Sequence, residues 1–410
     1  MNDIFLIDRL GHQGDGIADT ADGPLFVPFA LPGERVRVVR DGARARLVEV
    51  LEPSPLRRAP ACPHFAVCGG CSLQHLDEAA YLAFKRDMVV TALASRGIAA
   101  EVAATVPAAR PGGRRRVTLT ARRDGGDVAI GFHGRGSHAL IAIAECPVAD
   151  PAIVAALPRL RDLAHRLAGP REPLKLTVTA TPSGLDVAAT EAKRIDDAGR
   201  RRLVADVERL GLARLAVDGE VIAAPRPPEL AIDGVPVLPP PGGFLQATVE
   251  AERSLAGLVV AGVGKARRIA DLFSGIGTFA LPLARLGTVT AIEGDKAAVE
   301  ALATARRNAA DRHPIAVEAR DLFRRPLMGK ELARFDAVVF DPPFAGAKAQ
   351  AEALAAVKVA RVVAVSCNPA TLVRDLAALV AGGYVVETVT PVDQFLWSAH
   401  VEVVAVLTRR

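Results

Sequence analysis

A thiol and two carboxylates in the C-terminal part of the sequence stand beside apolar runs. Cys367 follows the run 360–365, Asp341 follows the run 337–340, and Glu402 lies within the run 401–407. Short apolar runs rich in valine predict buried strands, and open α/β sheets place their active sites at the carboxyl ends of such strands. These positions make Cys367 a candidate nucleophile and the carboxylates candidates for holding a substrate or moving a proton.

Two of these residues also have a structural interpretation. Cysteine is among the most buried residue types and often packs as a small apolar side chain. An acid within an apolar run is costly unless it is paired, functional or exposed at a sheet edge, so Glu402 could face outward. For Cys367, position alone favours the structural interpretation, and the other motifs of the chain reverse it.

The segment 269–280 predicts a strand, a glycine turn and the start of a helix. It contains Gly275 and Gly277 in a G-x-G-x-x-A pattern, and Glu293 ends the next predicted strand at the distance where an acid meets ribose hydroxyls. The pattern fits NAD, FAD or S-adenosylmethionine. Asp271, directly before the loop, would repel a pyrophosphate but can accept hydrogen bonds from an ammonium group, which favours S-adenosylmethionine.

Two further acids follow the loop in the chain. Asp321 could accept a hydrogen bond from the adenine amino group, or it could cap a helix. Asp341 begins Asp-Pro-Pro-Phe, 341–344, which resembles the motif by which amino-methyltransferases hold an exocyclic amine. That chemistry needs no thiol, so it is an alternative to a reaction through Cys367.

Four of the five cysteines predict one metal or cluster site. Three are closely spaced and flank a Gly-Gly pair, and a fourth lies in Glu-Cys-Pro: Cys62, Cys68, Cys71 and Cys146. In a reducing compartment this arrangement favours thiolate ligands over disulfides. Spacing leaves iron–sulfur and zinc open, since His64 or His75 could replace a cysteine at a zinc ion.

Composition indicates a soluble, cytoplasmic protein of two or three domains. The chain has 410 residues, half of them hydrophobic, with no apolar stretch long enough to span a membrane and no signal-peptide pattern at the start. Its net charge is +5, and six arginines cluster within 110–123, which indicates either attraction to phosphates or a solvated surface. No obligate protein partner is evident.

The order of patterns predicts three regions. Residues 1–52 alternate short strands with glycine turns, as in an OB-like β-barrel. Residues 53–238 hold the cysteine loop and an α+β middle domain, and a proline-rich linker, 236–243, leads to residues 239–410. There strands and helices alternate as in a Rossmann-like, doubly wound sheet, so the predicted fold class is multidomain α/β.

Two N-terminal segments resemble known modules. Gly-Asp-Gly-Ile-Ala, 14–18, followed by 26–34 resembles the TRAM domain, an OB-like RNA-binding module. Residues 62–75 resemble the cluster loop of the iron–sulfur-containing RNA uracil-5-methyltransferases. This resemblance implies a [4Fe-4S] cluster on the four cysteines.

Residues 240–410 resemble the catalytic domain of the same family, class I enzymes that use S-adenosylmethionine. The resemblance rests on the segments 244–246, 271–279, 341–343, 366–372 and 400–402. It implies Cys367 as nucleophile, Glu402 as base and Asp341 in the uracil site. Around the cofactor it implies Gln246, Phe273, Thr278, Glu293 and Asp321.

The chemistry of this family agrees with the residues present. Carbon 5 of uracil becomes nucleophilic when a thiolate adds to carbon 6, and a base must then remove the hydrogen on carbon 5. The TRAM-like start and the cluster loop imply 23S rRNA as the substrate rather than tRNA. Three positions depart from the family pattern: Phe344 replaces arginine, Thr278 replaces asparagine and Ser274 replaces cysteine. The alternatives are an amine methyltransferase, a nicotinamide enzyme and an RNA-binding iron–sulfur protein without activity.

Overall fold

The N-terminal region of the computed structural model, which describes residues 2–170 and 172–409, is one six-stranded sheet. Its strands are β1 (Asn2–Leu6), β2 (Arg9–Leu10), β3 (Gly16–Thr20), β4 (Gly23–Val27), β5 (Arg35–Asp41) and β6 (Arg44–Glu52). Their spatial order is β1-β5-β6-β4-β3-β2. Leu25, Val27, Val36 and Val38 alternate along β4 and β5 and form its core. The TRAM-like assignment stays a prediction.

The segment that follows connects this sheet to the C-terminal part of the chain. It contains α1 (Glu78–Ala94), β7 (Glu101–Val102) and β8 (Val106–Pro107). Asp77 caps α1 by accepting hydrogen bonds from the amides of Ala79 and Ala80. Although these elements precede the predicted C-terminal region by more than a hundred residues, β7 and β8 pair with a strand of the C-terminal sheet.

The middle of the chain forms a seven-stranded sheet covered by helices. Its elements are β9 (Arg116–Asp124), β10 (Asp127–His133), β11 (Leu140–Ala142), α2 (Pro151–Ala155), α3 (Leu157–Leu167), β12 (Leu174–Thr181), β13 (Gly184–Thr190), α4 (Asp197–Arg209), β14 (Leu212–Val217) and β15 (Glu220–Ala223). The strand order is β11-β10-β9-β12-β13-β14-β15. Leu157, Leu160 and Leu167 recur at helical spacing and bury one face of α3 in this core.

The C-terminal part alternates strands and helices as predicted. After the hairpin β16 (Leu230–Ile232) and β17 (Val235–Val237) come α5 (Val249–Val263), β18 (Arg268–Leu272), α6 (Ala280–Leu283), β19 (Thr288–Glu293), α7 (Lys296–Ala305), β20 (Ile315–Ala319), α8 (Gly329–Ala333), β21 (Ala337–Phe340), α9 (Lys348–Ala355), β22 (Arg361–Ser366), α10 (Pro369–Ala381), β23 (Val385–Asp393) and β24 (Glu402–Thr408).

These strands form a nine-stranded mixed sheet in the order β20-β19-β18-β21-β22-β24-β23-β7, with β8 also on β23. The strands from β20 to β22 are parallel, whereas β24 runs antiparallel to both of its neighbours. The chain order reverses direction between β18 and β21. In doubly wound sheets, ligands bind at such a switch point, outside the carboxyl ends of the strands.

Two apolar cores cover the faces of this sheet. One contains Leu272, Val338 and Leu376, and the other contains Ile269, Val339 and Val363. Because both faces are buried, the central strands are apolar at nearly every position. Across residues 2–170 and 172–409, each helix is too short or too polar to cross a bilayer.

Two glycines of α5 differ in how closely they approach the sheet. A Cβ atom at Gly262 would lie 2.8 Å from Val406 Cγ2 and 3.0 Å from Val363 Cγ2, whereas a Cβ atom at Gly257 would meet no heavy atom within 4 Å. We expect Gly262→Ala to lower the free energy of unfolding by about 1–3 kcal/mol through overpacking. Gly257→Ala should raise it by about 0.5–1 kcal/mol through helix propensity.

Thermal denaturation of both variants and of the unsubstituted protein measures these changes in the free energy of unfolding. The two glycines share one helix, so each substitution is the control for the other. Equal stabilisation by both substitutions would contradict the close contact between α5 and strands β22 and β24.

Candidate active site

Cys367, Glu402 and Asp341 come together at one edge of the C-terminal sheet. Ser366, the last residue of β22, pairs with Val403 of the antiparallel strand β24. Cys367 and Glu402 are the next residues beyond this pair, so they lie across from each other. Asp341 follows β21, the other neighbour of β22. All three line one cavity of about 460 Å³.

Two glutamines connect the carboxyl groups. Gln394 Nε2 donates to Glu402 Oε1 at 2.7 Å and to Gln246 Oε1 at 2.9 Å. Gln246 Nε2 in turn lies 3.4 Å from Asp341 Oδ2, and the backbone amide of Ala247 donates to Gln394 Oε1 at 3.0 Å. The side-chain amides of Gln246 and Gln394 are both buried and hydrogen-bonded. This hydrogen-bonded series fixes the orientation of Glu402.

The two carboxyl groups hold protons more tightly than free acids do. Burial raises the pKa of Asp341 to about 7. Burial, together with the charge of Asp341, raises the pKa of Glu402 to about 8, although Gln394 and Lys85 act in the opposite direction. Because the charge of Asp341 raises the pKa of Glu402, ionisation of one carboxyl group opposes ionisation of the other.

The thiol of Cys367 is half-buried and free. Burial, and then the charges of Glu402 and Asp341, raise its pKa to about 12. The thiolate is the nucleophilic form of cysteine. A positive charge bound in the cavity would favour it, because such a charge lowers the pKa of every acid nearby.

The glycine loop after β18 forms one wall of the same cavity. The Gly275 amide donates to Glu293 Oε2 at 2.9 Å, which joins the loop to the end of β19. Phe273 and Gly275 have positive φ angles of 61° and 53°. The cavity is lined by seven of the nine residues predicted to bind the cofactor: Gln246, Phe273, Gly275, Thr278, Glu293, Asp321 and Asp341.

The other two predicted cofactor residues, Gly277 and Asp271, lie outside the cavity lining. A Cβ atom at Gly277 would come within 2.5 Å of Leu302 Cδ1, so this glycine permits the close approach of α7. Asp271 is fully buried, and neither of its carboxylate oxygens has a well-formed hydrogen bond within the described residues. Burial, followed by the charge of Asp341, raises its pKa well above the usual range.

Sequence reasoning missed one aromatic side chain of this cavity. Phe323 is 52% exposed, and its ring lies 5.4 Å from that of Phe273. Asp321, two residues earlier, accepts hydrogen bonds from the amides of Phe323 and Arg324 at 3.0 and 3.2 Å. Asp321 thus caps a turn as well as lining the cavity. A phenylalanine two residues after a candidate adenine-binding acid was the signal available in the sequence.

Phe344 is 61% exposed at the mouth of the cavity. Its backbone oxygen accepts hydrogen bonds from Asn368 Nδ2 at 3.1 Å and from Thr371 Oγ1 at 3.3 Å. The segment after Cys367 therefore holds the Asp-Pro-Pro-Phe loop in place. Phe344 and Cys367 also line a second cavity, of about 550 Å³, on their other side.

The four remaining cysteines all line this second cavity. Burial raises the pKa of Cys62, Cys68 and Cys71, the last to about 11. His64 is also at the cavity, but His75 is buried beside Phe65, away from it. Within residues 2–170 and 172–409, no three His, Cys, Asp or Glu side chains are gathered so that they could hold a metal ion.

The arginine cluster does not form a single surface. Arg115 is buried in an ion pair with Glu252 at 2.5 Å, and Arg123 donates to the carbonyl oxygens of His165 and Ala168. Arg114 and Arg116 face the second cavity. The six arginines therefore do not form one shared patch, because Arg115 is buried and paired and the others face different surroundings.

Comparison with known proteins agrees with this geometry. A sequence model of the tRNA (uracil-5-)-methyltransferase family matches residues 242–410. A 23S rRNA (uracil(1939)-C(5))-methyltransferase of Chromohalobacter salexigens is 35% identical over 99% of this chain and 89% of its own length. This chain belongs to the RNA uracil-5-methyltransferase family.

Other relatives extend over the whole chain. An uncharacterized RNA methyltransferase of Brucella suis is 53% identical over 98% of this chain and 97% of its own length. The crystal structure of the Pyrococcus abyssi tRNA (uracil-54, C5)-methyltransferase with S-adenosyl-L-homocysteine matches 99% of both chains, with a TM-score of 0.78 and 25% identity. Full-length similarity thus includes members of the uracil-5-methyltransferase family that are named for different RNAs.

The raised pKa of Glu402 predicts a pH-dependent cost of burying this acid. An unfolded glutamate titrates near pH 4.3, so between that value and about pH 8 the folded protein binds more protons than the unfolded chain. Stability from this group therefore falls as the pH rises. We expect Glu402→Gln to have a higher unfolding midpoint than the unsubstituted protein at pH 8, by at least about 2 °C, and little difference at pH 5.

Differential scanning fluorimetry across pH 5 to 8 measures this difference. Glu300→Gln, at an exposed position of α7, is the matched control and should shift the midpoint equally at all pH values. A Glu402→Gln difference that shrinks with rising pH would contradict the burial of a protonated acid.

Proposed function

We propose that this protein transfers a methyl group from S-adenosylmethionine to carbon 5 of a uridine through a covalent bond between Cys367 and carbon 6. The observation that supports it is the cavity that Cys367, Glu402 and Asp341 line together with the glycine loop. A nucleophile, a base and a loop suited to the cofactor thereby meet in one place.

The residues would divide the reaction into three steps. Cys367 Sγ adds to carbon 6 of uracil, and the electron pair of the 5,6 double bond moves into an enolate. S-adenosylmethionine supplies the methyl group, which carbon 5 takes as the sulfonium becomes a thioether. Glu402 then removes the hydrogen on carbon 5, and the returning electron pair re-forms the double bond and expels the Cys367 thiolate.

The electrostatics of the cavity suit this order of steps. A cationic cofactor in the cavity would lower the pKa of Cys367, which the carboxylates otherwise hold at about 12. A pKa of about 8 places Glu402 close to working pH, where a general base is most effective. Asp341 would hold the uracil, and Gln246, Phe273, Thr278, Glu293 and Asp321 would surround the cofactor.

The proposed RNA is 23S rRNA. Its support is the 35% identity to the Chromohalobacter salexigens enzyme, against 25% to the Pyrococcus abyssi enzyme named for tRNA. The TRAM-like region and the cysteine loop are weaker support for an rRNA substrate than the sequence suggested, because the Pyrococcus abyssi tRNA enzyme also matches 99% of this chain. Residues 1–52 would act as the TRAM-like RNA-binding module.

We also propose that Cys62, Cys68, Cys71 and Cys146 hold a [4Fe-4S] cluster. What supports the proposal is that all four thiols line one cavity of about 550 Å³ and that iron–sulfur clusters are held by four cysteine thiolates. A Cβ atom at Gly70 would lie 3.6 Å from Cys68 Sγ, so the glycine leaves room beside this thiol. Arg114 would balance part of the negative charge of the thiolates. The cluster would link the cysteine loop to Cys146.

Trapping with 5-fluorouridine tests the proposed nucleophile and substrate. Fluorine at carbon 5 cannot be removed as a proton, so the covalent adduct should persist. We expect the protein with S-adenosylmethionine and a fluorinated 23S rRNA transcript to form an adduct that survives denaturing electrophoresis. Cys367→Ala should lower its yield by at least about 100-fold.

A fluorinated tRNA transcript is the matched substrate control and should give much less adduct. Greater trapping on tRNA would contradict the rRNA assignment alone. Full methylation of RNA by Cys367→Ala would overturn the covalent mechanism in favour of amine methylation through Asp341 and the exposed Phe344.

Metal analysis tests the cluster. Protein purified without oxygen should be brown and contain iron and sulfide in equal amounts. Substitution of Cys71 by serine should remove most of the iron, because one of the four thiolates is lost. Cys367→Ser is the matched control and should keep the iron; a colourless protein with one zinc ion would contradict the cluster.

A further inference from the structure

Lys85 is a fully buried lysine with 0% of its surface exposed. It lies on α1, and its Nζ atom donates to Asp393 Oδ1 at 2.5 Å and to the carbonyl oxygen of Phe395 at 3.2 Å. Burying an ammonium group is expensive even when it is paired, and burial lowers the pKa of Lys85 to about 8. Packing alone would be served better by an apolar side chain.

Tyr81, one turn earlier on α1, joins the same network. Its Oη atom lies 3.0 Å from Asp393 Oδ1 and accepts a hydrogen bond from the amide of Trp397 at 2.9 Å. Trp397 has a positive φ angle of 58°, a conformation that needs support from its surroundings. Helix α1 therefore holds the segment 393–397 at three points.

This segment contains the residue that orients Glu402. Gln394 directly follows Asp393, and its side chain donates to Glu402 at 2.7 Å. The charged and titratable groups that act on Glu402 are Asp341 after β21, Cys367 after β22 and Lys85 on α1. Lys85 is the one cation in this set, and its partner Asp393 ends β23.

We propose that Lys85 is a positioning residue for Glu402, acting through Asp393 and Gln394. This inference rests on the proposed function, in which Glu402 takes the proton from carbon 5. Loss of Lys85 removes the cation and the two hydrogen bonds that it donates to this segment, so Gln394 holds Glu402 in line less firmly. Thiol addition and methyl transfer precede this proton removal, so the methylated RNA stays bound to Cys367.

Covalently attached RNA reports this defect. We expect Lys85→Met, incubated with S-adenosylmethionine and unmodified 23S rRNA transcript, to accumulate at least about tenfold more denaturation-resistant adduct than the unsubstituted protein. Because the Lys85 charge lowers the pKa of Glu402, its removal should also move the rise of turnover with pH to higher pH. Lys85→Arg keeps the charge and should restore most of the turnover.

Two further variants separate this role from a purely structural one. Lys85→Met leaves Asp393 buried without a cation. The double variant Lys85→Met with Asp393→Asn replaces the ion pair by a neutral pair, so it should fold and still accumulate adduct. Reduced turnover without adduct, and with an unchanged pH dependence, would overturn the inference. Glu402→Gln is the reference: if it accumulates no adduct, the proposed role of Glu402 fails, and the inference fails with it.

Discussion

The antiparallel strand β24 beside parallel strand β22 is the constraint on which the site depends. Parallel strands bring only their carboxyl ends to the functional edge, so a fully parallel sheet would place Glu402, at the amino end of its strand, on the opposite side. Because β24 runs antiparallel to β22, Glu402 lies just beyond the pair Ser366 and Val403, opposite Cys367. Cys367 and Glu402, which are 35 positions apart, thereby line one cavity. The same arrangement places both of them next to Asp341, beyond β21.

Burial gives this edge its electrostatic character. Asp271, Asp341 and Glu402 are acids with raised pKa values in the interior of one domain, and Cys367 is a thiol with a raised pKa beside them. Ionising such a cluster of buried acids lowers the stability of the fold, and protons or a bound cation reduce this cost. A cation bound at this edge, such as a sulfonium or an ammonium group, would favour the ionised form of these acids. Hydrogen bonds from Gln246 and Gln394 orient the carboxyl groups of Asp341 and Glu402.

Cys367 and Phe344 line both cavities, so the cavity of the cysteine loop adjoins the cavity that contains Glu402 and Asp341. The amides of Ser72 and Leu73, directly after Cys71, both donate to the carbonyl oxygen of Trp397 at 2.9 Å. Trp397 is in turn held by Tyr81 on α1. The cysteine loop, helix α1 and the segment before Glu402 are thus joined by hydrogen bonds.

Local patterns in the sequence determined the alternating C-terminal elements, the glycine loop and the strand ends that carry Cys367 and Asp341, because strand periodicity and turn residues act over a few positions. Sequence motifs also sufficed to recognise the family. Only the tertiary structure decided that β7 and β8 join the C-terminal sheet and that the arginines point different ways. It also decided that Phe323 lines the cavity, that Gln394 contacts Glu402 and that Lys85 is buried against Asp393. Lys85 and Asp393 are 308 positions apart, and Gln394 and Gln246 are 148 apart. Contacts at such separations leave no local periodic signal, because they exist only once the sheets have packed.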